Sequence, residues 1–231
     1  MFNNMENQSY NLLASLRLAD SFLPVGTFSS SFGIESFIQE GIISDSNDLR
    51  ELLKDYLHFM IGSSDIVAIS SVYDAIDQSE IDKVIQIDNK YHSMQTVKEF
   101  RKSSTKSGSN LLDIFNKTNN YSLIDKIYED LPHCHYVTVI GIISNTANMK
   151  KIHACLVHSY SFVTELISAA QRLLGLSHID VQQILSHLEP LIIESCDNNI
   201  DKSMTQMKAF CPWISIMGMK HEREDVKLFM S

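Results

Sequence analysis

Apolar side chains recur along most of this chain with the period of an α-helix. From Leu49, the residues Leu52, Leu53, Tyr56, Leu57, Met60 and Ile61 follow at helical spacing and form one continuous face. Asp45 or Ser46 is the expected N-cap, because a short side-chain oxygen can accept the free N–H groups of a first turn. Gly62 and the two serines after it are expected to interrupt this helix. Ile66, Ile69, Val72, Tyr73 and Ile76 then resume the stripe. Residues 80–101 read as a more polar helix. It continues through the Ser/Lys-rich stretch Arg101–Asn110, a local flexible point, to Leu111, Leu112 and Phe115. Leu123, Ile124, Ile127, Tyr128 and Leu131 make a short amphipathic face ending near Pro132. Residues 150–174 read as a long helix. Val181, Ile184, Leu185 and Leu188 make another, disturbed at Pro190, since proline lacks the N–H that a helix interior needs.

The segment Tyr136–Ile143 (YVTVIGII) argues the other way, being β-branched like a strand. A lone strand cannot pair its backbone groups, and no second convincing strand is written in the chain. The segment therefore reads as a fully buried helix, with Gly141 allowing close approach of a neighbour. Glycine and proline are scarce, at 8 and 4 of 231 residues, which disfavours a turn-rich β architecture. The expectation is all-α: a single-domain helical bundle over residues 1–231 with roughly eight to ten helices. Residues 1–11 are expected to be flexible. Residues 212–231 form a tail that runs from apolar (Trp213, Ile214, Ile216, Met217, Met219) into charged (Lys220 to Asp225).

Composition narrows the function classes. The formal charge is −9, so no general field draws this chain to nucleic acid, and a partner surface is expected to be basic. The N-terminus has no basic region followed by an apolar core, and apolar runs fall short of the ~18 residues that suggest a membrane span. A cytoplasmic protein with four reduced thiols (Cys134, Cys155, Cys196, Cys211) is the expectation, since no CxxC pair or dense cysteine framework occurs.

Candidate chemistry is sparse. Neither GxxxxGK[ST] nor GxGxxG is present, so no phosphate-cradling loop is expected. GTFSSSFG is serine-rich but lacks the GxSxG spacing of a nucleophile elbow, and its serines are expected to cap the helix that follows. A small α-helical hydrolase would need an activated Ser or Cys that no spacing supports. His133, Cys134 and His135 are adjacent, with His153, Cys155 and His158 further on, and such ligand types suit Ni, Cu or Zn. His153 and His158 lie about 140° apart around a helix and share no face. Core packing of Cys155 and polar contacts of the histidines are therefore preferred over a metal site. His221 precedes Glu222 in the charged tail, where a surface role is expected. Half of the ten methionines fall from Met204 onward, and core packing and a partner surface remain equal readings for them.

Backbone-special residues concentrate in Asp20–Gly41, where Pro24, Gly26 and Gly33 stand among Phe22, Phe28, Phe32 and Phe37. Residues 23–35, LPVGTFSSSFGIE, resemble the LPxGxFSxSxGLE signature of the UreF family of urease accessory proteins, with Ile34 in place of the usual Leu. Glu99–Leu112 (EFRKSSTKSGSNLL) is similar to the family's E-x-R…G-x-x-L-L helix, with Arg101 and Gly108 at matching positions. Ala169–Gln182 (AAQRLLGLSHIDVQ) resembles a further family stretch. Arg172, Leu173, Leu176 and Gln182 carry over, whereas Gly175, Ser177 and His178 replace the usual Pro, Gly and Gln. The end of the chain, MKHEREDVKLFMS, resembles the family's M-x-H-E…R-L-F-x-S ending, with Lys227 where Arg is usual.

The resemblance implies an all-α, dimeric, non-catalytic protein of the apparatus that inserts nickel into apo-urease, with no cofactor of its own. It implies a UreD/UreH-like accessory protein and a nickel-carrying UreG-like GTPase as partners, acting together on apo-urease. The partner-binding residues it implies are Ser29, Ser31, Phe32, Gly33 and Glu35 at the N-terminal turn and Arg101 and Arg172 in the middle. In the tail they are Met219, His221, Glu222, Lys227, Phe229 and Ser231. Lysine at 227 keeps the charge but loses the bidentate geometry of arginine, so its GTPase contact is expected to be weaker or differently made. The competing reading is a nickel-binding metallochaperone that uses His133 and His135, with Cys134 as a further candidate ligand.

Overall fold

A computed structural model of the chain describes residues 2–20, 23, 31–118, 127, 130–224 and 227–229, with side chains from Ser9 onward. Among these the regular structure is all helical. The helices are α1 (Phe2–Ala19), α2 (Ile34–Gln39), α3 (Ser46–Asp55), α4 (Val67–Asp77), α5 (Ile81–Met94) and α6 (Lys98–Thr118). They continue with α7 (Tyr136–Thr146), α8 (Lys151–Leu174), α9 (His178–Asn199) and α10 (Pro212–His221). The short amphipathic face around Leu123–Leu131 lies mostly outside the described residues, although Ile127 is buried.

The strand-like segment is indeed a helix. Every residue of α7 from Val137 to Ser144 is buried, and α7 packs against α4, α6 and α8. A helix apolar on all sides can only sit in the middle of a bundle. Gly141 provides the expected close approach: a Cβ there would stand 2.8 Å from the Cβ of Val72 and 2.9 Å from the carbonyl of Ile69 on α4. These inner helices share one contiguous apolar core with α3, α8 and α9.

One expectation about helix breaks is corrected. Asp45 does cap α3, accepting from the N–H groups of Asn47 and Asp48 at 2.8 and 3.0 Å. Gly62 and its serines, however, do not stop the helix. Residues Tyr56–Ile66 wind as a π-helix that joins α3 to α4 without a gap. The wider turn absorbs the residues that disturb the stripe, and π segments of this kind often mark functional positions. The Arg101–Asn110 stretch lies inside α6, and its small Ser107 and Gly108 are buried. Pro190 lies inside α9 on an exposed position, where water can hydrate the carbonyl left without a donor. The continuous helix Ser46–Asp77 is apolar and long enough to cross a membrane, but 72% of its most apolar window is buried inside the fold, as in a core helix.

The closeness of α4 and α7 makes Gly141→Ala an informative variant. The added methyl is expected to cost about 1–3 kcal/mol, as overpacking usually does. Urea denaturation should show the loss, and Val72→Ala in the same chain should recover part of it. Full stability in the single variant would mean that the two helices are not packed as described.

Candidate functional site

The N-terminal turn, the start of α6, the end of α8 and the tail meet at one place. The meeting point is Glu35, on α2, which is fully buried. Gly33 precedes α2 with φ of 90°, a left-handed conformation natural to glycine. A side chain there would also press on α10, its Cβ 3.3 Å from the backbone nitrogen of Gly218. Phe32 anchors the turn: its ring packs 4.8 Å from Phe162 and 5.3 Å from Phe100, and its carbonyl accepts from the Tyr56 hydroxyl. Ser31 is buried with its hydroxyl unpartnered, and α2 has no side-chain cap, so the described part of this turn corrects the capping expectation. Ser29 lies outside the described residues, as does Ser231.

The carboxylate of Glu35 accepts four hydrogen bonds. Oε1 receives the Leu228 N–H at 2.9 Å and the Gln39 amide at 3.3 Å. Oε2 receives the Phe229 N–H at 3.1 Å and faces Nε2 of His221 at 3.1 Å. This occupies the lone pairs of an ionised carboxylate, the condition under which a buried charge is tolerated. His221 is itself fully buried, which overturns the expected surface role. Its Nδ1 faces Oε2 of Glu99 at 2.7 Å, so both ring nitrogens point at carboxylates. Only an imidazolium donates to both at once.

Glu99, near the start of α6, completes the set by accepting from Lys227 Nζ at 2.7 Å. Burial pushes the Glu99 carboxyl up, but the hydrogen bonds from Lys227 and His221 outweigh it and hold the group below the usual carboxylate range. Glu222 accepts the Glu99 N–H at 3.1 Å, placing negative charge at the positive end of the α6 dipole. Glu224 accepts from Ser36 at 2.9 Å, and Lys220 pairs with Glu40. Arg172, at the end of α8, stacks 5.2 Å over the ring of Phe229, which is buried. Arg101 turns the other way and donates to the carbonyls of Gln95 and Thr96, closing the break between α5 and α6. Glu35, Arg172, His221, Glu222, Lys227 and Phe229 thus form one assembly, which Arg101 does not join. Met219 is exposed, Met207 is buried, and Met204 and Met217 pack against the core.

The histidines gather elsewhere. The Asp88 carboxylate clamps the turn ahead of α7, accepting the N–H groups of His133, Cys134 and His135 at 2.9, 3.2 and 3.0 Å and the Thr138 hydroxyl at 2.9 Å. His92 joins them, stacked on His133 at 3.6 Å with its Nδ1 3.0 Å from Nε2 of His135. The turn crowds Gly108 so closely that a Cβ there would fall 1.9 Å from the Cys134 carbonyl. Burial, and then the neighbouring His92 and His133, push the His135 imidazole down to about 3. All four cysteines are free thiols, and burial raises Cys134, Cys196 and Cys211 to about 11 and Cys155 further. Among the described residues, no group of three or more His, Cys, Asp or Glu side chains is arranged to hold a metal ion. Glu99, Asp88 and His92 were not singled out from sequence. Glu99 opens a family-like stretch, but nothing local marks it as half-buried against the tail.

Comparison with known proteins places these features. The family model named UreF matches residues 43–189, which form the middle of the chain. Full-length relatives extend the match to both ends. A urease accessory protein UreF of Trichodesmium erythraeum is 29% identical over 94% of this chain and 95% of its own length. The protein of that name from Bacillus sp. strain TB-90 is 26% identical over 95% and 99%. That of Lachnoclostridium phytofermentans is 27% identical over 98% and 100%.

Two outcomes test the geometry. Glu35→Ala strands two tail N–H groups and His221, so it should cost about 3–5 kcal/mol, the scale of breaking a buried charge pair. Amide exchange at Leu228 and Phe229 should accelerate with it, and retained protection would remove Glu35 as the anchor. His135 gains its proton near pH 3 in the fold, against 6.5 ordinarily, so between those values the unfolded chain binds more protons. Stability should therefore fall on acidification through that window, by ~1.4 kcal/mol per pH unit from this group. His135→Gln should flatten that part of the profile.

Proposed function

The chain belongs to the UreF family of urease accessory proteins, and from that premise we propose that it is a non-catalytic scaffold in urease nickel insertion. It docks on a UreD/UreH-like accessory protein and recruits a UreG-like GTPase to apo-urease, acting as a single-domain homodimer in the cytoplasm. Nickel is cargo of that assembly, and the scaffold carries no cofactor.

The observation that carries this reading is the two-sided apolar character of α10. Ile214, Gly218 and His221 face the core and are buried. Trp213, Ile216 and Met219 lie within about 120° of one another on the other side and are 42, 59 and 40% exposed. Phe210 before the helix and Leu228 after it are exposed as well. A helix apolar all round is at rest only when both faces are covered, and an exposed aromatic and aliphatic set is the usual core of a protein interface. In this proposal the outer face of α10 takes the accessory protein. Lys227 acts inward on Glu99 and helps hold the tail in position for the GTPase. Ser31, Phe32 and Gly33 support that surface from below.

Ile216→Asp with Met219→Ser changes two exposed positions of this face. The double variant should keep its thermal midpoint and lose co-purification with the UreD-like protein, reducing affinity at least tenfold. Undiminished binding would place the interface elsewhere. Equilibrium dialysis with Ni²⁺ addresses the metallochaperone reading: a stoichiometric site abolished by His133→Ala with His135→Ala would favour it over the scaffold.

A further inference from the structure

A small, mostly apolar cavity with a few polar groups lies beneath the N-terminal turn, apart from the Glu35 assembly. It has room of about 40 Å³ and is lined by Asp65, Tyr91, Ser104, His158 and Ser161, with Phe32 and Phe162 among its apolar walls. Asp65 comes from the π-helical segment and is buried. Its Oδ1 accepts from Ser64 at 2.8 Å and Tyr91 at 2.9 Å, and its Oδ2 from His158 Nε2 at 2.9 Å. With the proton on Nε2, Nδ1 of His158 is an acceptor. That Nδ1 is buried without a partner, and so is the hydroxyl of Ser161 one turn further along α8. His158 as a whole is 4% exposed.

Two orphaned polar atoms on one helix face are costly to bury. A water site needs some 10–15 Å³ of such space and two to four polar partners. The cavity meets both conditions. It also touches a second hydrogen-bonded set. Ser104 accepts the Tyr136 N–H at 3.3 Å and lies 3.0 Å from Nδ1 of His135, whose Nε2 reaches His92.

We propose that the cavity is a structural hydration site. One or two ordered waters there satisfy His158 Nδ1 and Ser161 and join the Asp65–Tyr91–His158 set to Ser104, His135 and His92. The result is one hydrogen-bonded path from the buried π segment to the histidine turn ahead of α7. The site takes water, the small neutral donor and acceptor that its unpaired groups call for.

A high-resolution crystal structure of the full chain tests this directly, alongside Ser161→Ala. The expected result is ordered water within hydrogen-bond distance of His158 Nδ1 and Ser161. In addition, Ser161→Ala should lower the folding equilibrium constant about two- to tenfold, because the water loses a partner. A dry cavity that takes up xenon under pressure would overturn the proposal. So would a more stable Ser161→Ala, the sign expected when an unpaired hydroxyl is simply removed from a dry site.

Discussion

The tail and the N-terminal turn of this protein are held by one buried carboxylate. Glu35 receives two consecutive backbone N–H groups, Leu228 and Phe229, together with a histidine from α10. Backbone donors fix the path of the chain, since changing their side chains leaves them in place. The charges must balance locally, because an unpaired carboxylate in this position would be expelled or neutralised. His221 and Lys227 against Glu35 and Glu99 supply that balance within hydrogen-bond distance. The four family-like stretches all send residues to this place. Spread along the sequence they are separate motifs; in the fold they describe one latch.

The latch rests on a closely packed bundle. The α7 helix is buried along its length and pressed on α4 at Gly141, which sets the spacing of the inner layer. The α8 helix crosses this layer and presents different residues along its length: His158 toward Asp65, Phe162 against Phe32, and Arg172 over Phe229. Positioning of the tail is therefore inherited from core packing.

Much of this was legible in the sequence, for reasons that also explain what was not. The spacing of Leu49 to Ile61 is a local signal, and so is the N-cap at Asp45. YVTVIGII was settled as helix by asking where its backbone bonds could go. Gly62 misled, because local propensity was overridden by neighbours that keep the helix going. The pairing of Glu35 with His221 spans 186 positions, and no periodicity announces a contact of that separation. His221 beside Glu222 looked like a solvated tail because its real partners, Glu35 and Glu99, lie on other elements. Sequence resemblance picked out these stretches but could not say that they touch.

That contact changes how the outer face of α10 should be understood. The helix is anchored on its inner side by Ile214, Gly218 and the latch histidine, while Trp213, Ile216 and Met219 face outward. The ionic latch and the apolar surface thus share one short helix. A partner that covers the outer face binds a surface whose orientation is set by Glu35 and Glu99, and tight binding in turn favours the latched form, since linkage runs both ways. The conformational cost of ordering the tail is met largely within the free protein, so less of the binding energy is lost to it. In the proposed function a loose tail would present the same residues and bind more weakly, which would give the buried charge a purpose beyond stability.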